Sequence, residues 1–163
     1  MSLEITLKPM TAEMYHAFFQ EYENDMDLYL DKNDYFEYVY EKSKVDAYIQ
    51  RQIDLNRQPF AIMYGDEMVG ELKIYDIVID KSATFGITMK NRNYKDKGFG
   101  TRAEQLAVEY VFYQLNIPVL NADCILTNTR SQHVLEKVGF QFIYADEQRK
   151  HYQITRDRYI SIY

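Results

Sequence analysis

Tryptophan is absent from this chain, and among its 163 residues cysteine occurs once and proline three times. The single Cys124 cannot close an internal disulfide. With no second Cys and no His at ligand spacing, it does not mark a structural zinc site, and no metal is expected. Cys124 lies in the apolar stretch VLNADCIL and reads as a small buried hydrophobe in a reducing, cytoplasmic setting. No apolar run approaches the ~20 residues that span a bilayer, so no membrane partner is expected. The N-terminus has no basic segment followed by an apolar one, so no signal peptide is expected. Positive charge is also scarce: 19 Lys and Arg against 25 Asp and Glu leave a net charge of −6. That balance argues against a nucleic-acid partner, which needs a basic face to neutralise phosphates.

What is present describes a folded chain. Hydrophobic residues make up 47% and charged ones 27%, a composition that suits one domain over 1–163 with its own core. Sixteen tyrosines are unusual, and no single physical account covers them. LEITLKPM alternates as a first strand, and Thr11 can cap a helix through AEMYHAFFQEYEN. From Glu21 to Glu41, eight acidic residues and several aromatics surround one lysine, Lys32. This reads either as a solvated helix–loop with an aromatic inner face or as a wall that attracts a cationic substrate. YEKSKVDAYIQRQIDLNRQ is an amphipathic helix with Val45, Tyr48, Ile49, Ile53 and Leu55 inward, closed by Pro59. PFAIMY and MVGELKIYDIVI form a hairpin around Gly65–Asp66, and SATFGITMK is the next strand. A helix to about Asn116, the strand IPVLNADCILT, the short helix TRSQHVLEKV stopped at Gly139, and two final strands complete the chain. The order β-α-α-β-β-β-α-β-α-β-β predicts a mixed α/β fold around a largely antiparallel sheet.

Between the fourth strand and the long helix stands NYKDKGFGTRAEQL. Helix N-termini leave backbone N–H groups without intrahelical partners, and the helix dipole adds positive potential there. Gly98 and Gly100 let the backbone turn tightly and approach a ligand closely. The amides of Asp96 to Thr101, with Lys95, Lys97 and Arg102 adding charge, can converge on a pyrophosphate. The stretch is not a Walker loop, because no Gly-Lys-Ser/Thr follows, and a dinucleotide fingerprint fails at Ala103. From these residues alone, an anion site and an ordinary turn both stand.

A strand, KDKGFG, a long helix, and a strand ending in TNTRSQHVLEKVGF together resemble the GNAT superfamily of acetyl-CoA-dependent N-acetyltransferases. In that family an Arg/Gln-x-x-Gly-x-Gly/Ala loop binds the coenzyme A pyrophosphate. Gly98 and Gly100 match it, and Lys95 stands where Arg or Gln is usual. The family's second signature, Asn-x-x-Ser/Ala-x-x-x-x-Glu-Lys-x-Gly-Phe, is met by Asn128, Ser131, Glu136, Lys137, Gly139 and Phe140. The likeness covers about Met68 to Phe140 and is nearest to the branch of ribosomal-protein and peptide acetyltransferases. It implies a sheet of about seven strands with helices on both faces and with the fourth and fifth strands splayed. It further implies that Lys95, Asp96, Lys97, Gly98, Phe99, Gly100 and Thr101 hold the pyrophosphate of acetyl-CoA, the cosubstrate. Ile87, Thr88 and Met89 would offer backbone amides to the thioester carbonyl, with Asn128 and Ser131 along the pantetheine arm.

The resemblance departs from the family at the chemistry. Its usual tyrosine acid is replaced by Leu135, which leaves Ser131, Tyr144 or water as the donor to the thiolate. Its usual base, a glutamate on the strand ATFGITM, is missing, and Glu71 on the preceding strand is the first substitute, ahead of Asp123 and Asp76. The implied reaction is acetyl transfer to a primary amine by direct attack in a ternary complex, in a monomer or homodimer. The acceptor is either the N-terminus of a protein or peptide, or a small cationic amine such as a polyamine or aminoglycoside. A domain that holds coenzyme A as a sensor without turnover is the alternative outside enzymes.

Overall fold

The computed structural model describes residues 4–163; Met1–Leu3 lie outside the described residues. Among the described residues, seven strands form one sheet in the order β1-β2-β3-β4-β5-β7-β6. They are β1 (Ile5–Pro9), β2 (Gln58–Tyr64), β3 (Glu67–Val78), β4 (Ser82–Met89), β5 (Val119–Ile125), β6 (Gln141–Ala145) and β7 (Arg149–Thr155). Neighbours run antiparallel except β4 and β5, which are parallel. That parallel ladder has two rungs, Ala83–Leu120 and Thr84–Asn121, after which the strands diverge. The expected splay is therefore present, and it opens toward the C-terminal ends of both strands.

Helices α1 (Ala12–Glu21) and α2 (Lys42–Asp54) cover one face of the sheet, while α3 (Phe99–Glu109) and α4 (Thr129–Val138) pack with the main core on the other. Thr11 caps α1 as expected, its Oγ1 accepting from the Met14 N–H at 3.1 Å. In the core Leu72, Ile74, Phe85 and Leu120 lie under Ala103, Ala107 and Val111 of the long helix, all buried. The pleat sends the alternate residues of β3, Glu71, Lys73 and Tyr75, to the α1/α2 face, where Tyr15, Phe18 and Val45 are also buried.

Several details differ from the sequence reading. The final segment is not one strand: β7 stops at Thr155, whose Oγ1 accepts from the Arg158 N–H at 3.2 Å and starts α5 (Arg156–Ile162). In α2 the inward stripe is Val45, Tyr48, Ile49 and Gln52, while Ile53 and Leu55 are exposed. The spacing i, i+3, i+4, i+7 rotates the buried face past Ile53. Pro59 does not close α2, which ends at Asp54 before a turn with Asn56 at φ +51°; Pro59 belongs to β2. The long helix ends in a π-helical turn over Tyr110–Gln114. The acidic segment forms two 3₁₀ turns, Met26–Leu28 and Lys32–Asp34, begun by Asp25 and Asp31.

Candidate active site

The split between β4 and β5 is lined as a groove through the molecule. On the α1/α2 side lies a cavity of about 370 Å³, bounded by Lys73 and Tyr75 of β3, Gly86 of β4, Asp123 of β5, and Arg57 and Arg149. On the other side a cavity of about 350 Å³ reaches the start of α3. Leu28, Ile87, Thr88, Glu104, Asn128 and Ser131 border both, so the two meet at the point where the strands part.

The second cavity has the properties of an anion cradle. Gly98 is the N-cap of α3 at φ +81°, and no side chain among the described residues caps the helix. The N–H groups of Phe99, Gly100 and Thr101 therefore have no intrahelical acceptor. A Cβ built on Gly100 would meet nothing within 4 Å, so its free side is open space. Of the expected coenzyme set, Ile87, Thr88, Met89, Lys95, Asp96, Gly98, Gly100, Thr101, Asn128 and Ser131 border this cavity. Lys97 is exposed and Phe99 is buried against Tyr64, so neither side chain is brought to it. The charge comes instead from Lys95 together with Arg130 and Lys137 of α4. Their spacing on one helical stripe with Val134 was the available sequence signal.

The acidic segment folds against this cavity. Asp25, buried, pairs with Lys95 and stands 3.8 Å from Arg92, while Asp27 borders the cavity. Glu21 pairs with Lys90 at 2.7 Å. Asp25 and Asp27 thus lie at the cradle rather than at the α1/α2-side cavity, while Glu23 and Glu37 border a separate cavity.

Glu71 is buried on β3 and borders neither cavity. Tyr48 donates to its Oε1 at 2.9 Å, and Lys73 Nζ lies 3.4 Å from the same oxygen. Lys73 also donates to the Tyr48 hydroxyl at 2.8 Å. Burial, and then the Glu71 charge, push the Tyr48 and Tyr15 phenols far up, so both remain protonated. Tyr144 is exposed on β6, stacked on His151 with ring centres 4.3 Å apart, and is not brought to the groove. Ser131 is brought there, its N–H bonded to Asn128 Oδ1 at 3.1 Å in the first turn of α4. Asn128 thus caps the helix and borders the groove at once. The α1/α2-side cavity does contain Asp123, held by Arg149.

Glu104 escaped the sequence reading. It lies on α3, 2% exposed, and borders both cavities. Its Oε2 has no hydrogen-bond partner among the described residues. Burial drives its carboxyl well above the ordinary glutamate value of 4.5, which favours the protonated form. A Glu near the start of a helix gives no sequence signal of this kind, because its environment is set by β4 and β5.

The model of the family described as acetyltransferase (GNAT) domain matches residues 4–141. An uncharacterized N-acetyltransferase of Bacillus subtilis (strain 168), YnaD, is 26% identical over 105 residues, 63% of this chain and 61% of that protein. The chain thus spans about three fifths of that relative's length. Among solved structures, the spermidine N-acetyltransferase of Vibrio cholerae in complex with CoA and spermine superposes with a TM-score of 0.75 at 19% identity, covering 98% of this chain and 99% of that one. Apo FdhC, a nucleotide-linked sugar GNAT, superposes at 0.78 and 18% identity, covering 96% and 89%. The two structures share the fold, and the matched region takes in β1 through α4 with both motif segments: this chain belongs to the acetyltransferase (GNAT) domain family.

Proposed function

We propose that the protein is an N-acetyltransferase that moves the acetyl group of acetyl-CoA to a primary amine by direct attack in a ternary complex. The observation that carries this reading is the groove, which joins an uncapped helix N-terminus to a second, polar cavity through a split sheet. The uncapped amides, the open side of Gly100 and the unpartnered Glu104 oxygen fit a diphosphate attached to an amide-bearing arm. Bound acetyl-CoA supplies an acyl group activated as a thioester.

The amides of Phe99 to Thr101, with Lys95, Arg130 and Lys137, hold the diphosphate. Beyond Thr84 and Asn121 the facing edges of β4 and β5 carry main-chain groups without ladder partners on that side, available to the amides of the arm. Protonated Glu104 adds a donor at the junction. Backbone N–H groups near Ile87–Met89 polarise the acyl carbonyl. An alkyl amine with a pKa near ~10.4 must lose a proton before it attacks, which costs about 4–5 kcal/mol at neutral pH. Asp123, fixed by Arg149, is the carboxylate on the α1/α2 side that can take that proton, directly or through water. The new N–C bond forms as the C–S bond breaks, and Ser131 stands at the junction as a donor to the leaving sulfur. Glu71, behind the groove wall, holds Lys73 and Tyr48 in place.

The test is calorimetry with acetyl-CoA followed by a thiol-release assay on a panel of amines. Micromolar binding and acetylation of at least one amine are expected. No association at millimolar acetyl-CoA would overturn the reading.

A further inference from the structure

The α1/α2-side cavity is lined by three cations, Arg57, Lys73 and Arg149, and by one carboxylate outside the junction, Asp123. With Glu71 paired to Lys73 behind the wall, one cation, Arg57, is left uncompensated in a chain of net charge −6. Arg149 is satisfied by Asp123, and Lys73 by Glu71 and Tyr48. Arg57 has no carboxylate partner among the described residues. One of its amino groups donates to Gln52 Oε1 at 3.3 Å, and its guanidinium lies 5.2 Å above the Tyr75 ring centre. Gln52 is itself buried, on α2. The register places Gln58 beside Ile74, which puts Arg57 next to Tyr75 on the face that carries Lys73. The guanidinium is therefore held by two contacts while most of its five donors remain available.

A planar fork fixed in this way matches a carboxylate or phosphate, and a neighbouring ammonium adds attraction without competing for geometry. The other titratable groups of the cavity do not cancel the excess. Tyr75 is raised by burial and then by the Asp123 charge, and burial favours the neutral form of Glu104. An acceptor of several positive charges would meet Arg57 and Lys73 with its own sign. Of the acids of the Glu21–Glu41 segment, Asp25 and Asp27 border the opposite cavity, and Glu23 and Glu37 border a separate one with Tyr35, Tyr38 and Arg92.

We infer that the acceptor carries an anionic group, a carboxylate or a phosphate, close to its amine, and that Arg57 with Lys73 holds that group on the α1/α2 side of the groove. The inference rests on the acetyltransferase reading and narrows its acceptor. The anion anchors one end of the acceptor beside β3, which leaves the amine to reach the split where Thr88 and Asp123 stand. The nearby cations also disfavour the protonated form of that amine, which assists attack.

The experiment compares matched acceptors: glycylglycine with glycylglycinamide, O-phosphoethanolamine with ethanolamine, and spermidine alone. Each is measured by thiol release and by calorimetric binding to the protein loaded with coenzyme A. At least one anion-bearing probe is expected to exceed its neutral partner by about 10- to 100-fold in kcat/KM and in affinity. The pair that responds tells carboxylate from phosphate. In Arg57→Gln the ratio within that pair falls toward one, Arg57→Lys recovers part of it, and the Kd for acetyl-CoA is unchanged in both. Spermidine as the best acceptor, or equal binding within both pairs, overturns the inference and leaves the acetyltransferase reading intact. Loss of acetyl-CoA binding by the unaltered protein would instead remove that reading.

Discussion

The Tyr48 hydroxyl donates to Glu71 at 2.9 Å across the junction of α2 and β3, and it accepts from Lys73 at 2.8 Å. Glu71 is 3% exposed, so this donor and Lys73 are what compensate its burial. Tyr48→Phe is expected to cost about 1–3 kcal/mol, the penalty for stripping a buried acceptor of a partner. The same geometry separates two roles for carboxylates. Asp123→Asn should lower kcat/KM by about 10²–10⁴-fold. Glu71→Gln should lower Tm and retain most of kcat/KM in the folded protein. A loss of rate confined to Glu71→Gln would return the base to β3.

Gly98 and Gly100 are separated by one residue and have opposite tolerance. Gly98 is at φ +81°, where any side chain is strained by about 1–2 kcal/mol. Gly100 is helical, and a Cβ there meets nothing within 4 Å. Gly100→Ala should hold or slightly raise Tm, because glycine is the poorer helix former. Gly100→Trp should also fold, yet weaken acetyl-CoA binding more than about tenfold by filling the cradle. Thermal melts paired with calorimetry read both effects. Full affinity in Gly100→Trp would remove the diphosphate from the α3 N-terminus.

The sequence was most legible where local chemistry decides structure. Thr11 before α1, the Gly65–Asp66 turn and Gly139 after α4 each act within a few residues, and each does what its residue type dictates. The Gly98–Gly100 loop was legible for the same reason. Features that depend on distant partners were not. Thr155 begins α5 where alternating residues suggested more strand, and Tyr159 of that helix packs against the distant Phe112. Arg130, Lys137, Glu104 and Arg57 acquire meaning because β4 and β5 part beside them, and no short window of sequence contains that event.

Asp25 couples the acidic segment to the cradle. It accepts from the Asp27 N–H at 3.0 Å and pairs with Lys95. Asp25→Asn keeps the size and the cap but removes the charge. The expected result is a loss of about 1–3 kcal/mol in stability, since a half-buried ammonium loses its counter-ion. It is accompanied by tighter acetyl-CoA binding, because Lys95 then acts on the diphosphate undiminished. The gain should shrink at high salt, where screening weakens the attraction between the diphosphate and the cations of the open cradle. Weaker binding at every salt concentration would show that Asp25 organises the cradle instead of competing with its ligand.

Glu104 gives the last prediction, and its sign follows from which state holds the proton. In the unfolded chain its carboxyl titrates near the ordinary glutamate value of 4.5. In the fold, burial raises that value well above 4.5. Between the two, the folded protein keeps a proton that the unfolded chain has released. Its contribution to stability is therefore complete below the unfolded value, declines as pH rises above 4.5, and is lost once pH passes the raised native value. The slope approaches about 1.4 kcal/mol per pH unit for one proton. Glu104→Gln has no proton to lose and nearly the same shape. The Tm of the Glu104→Gln variant minus that of the unaltered protein should therefore grow steadily from weakly acidic to neutral pH. A difference that stays constant over that range would mean that the carboxyl is solvated or paired in solution, and the neutral donor proposed at the junction of the two cavities would be lost with it.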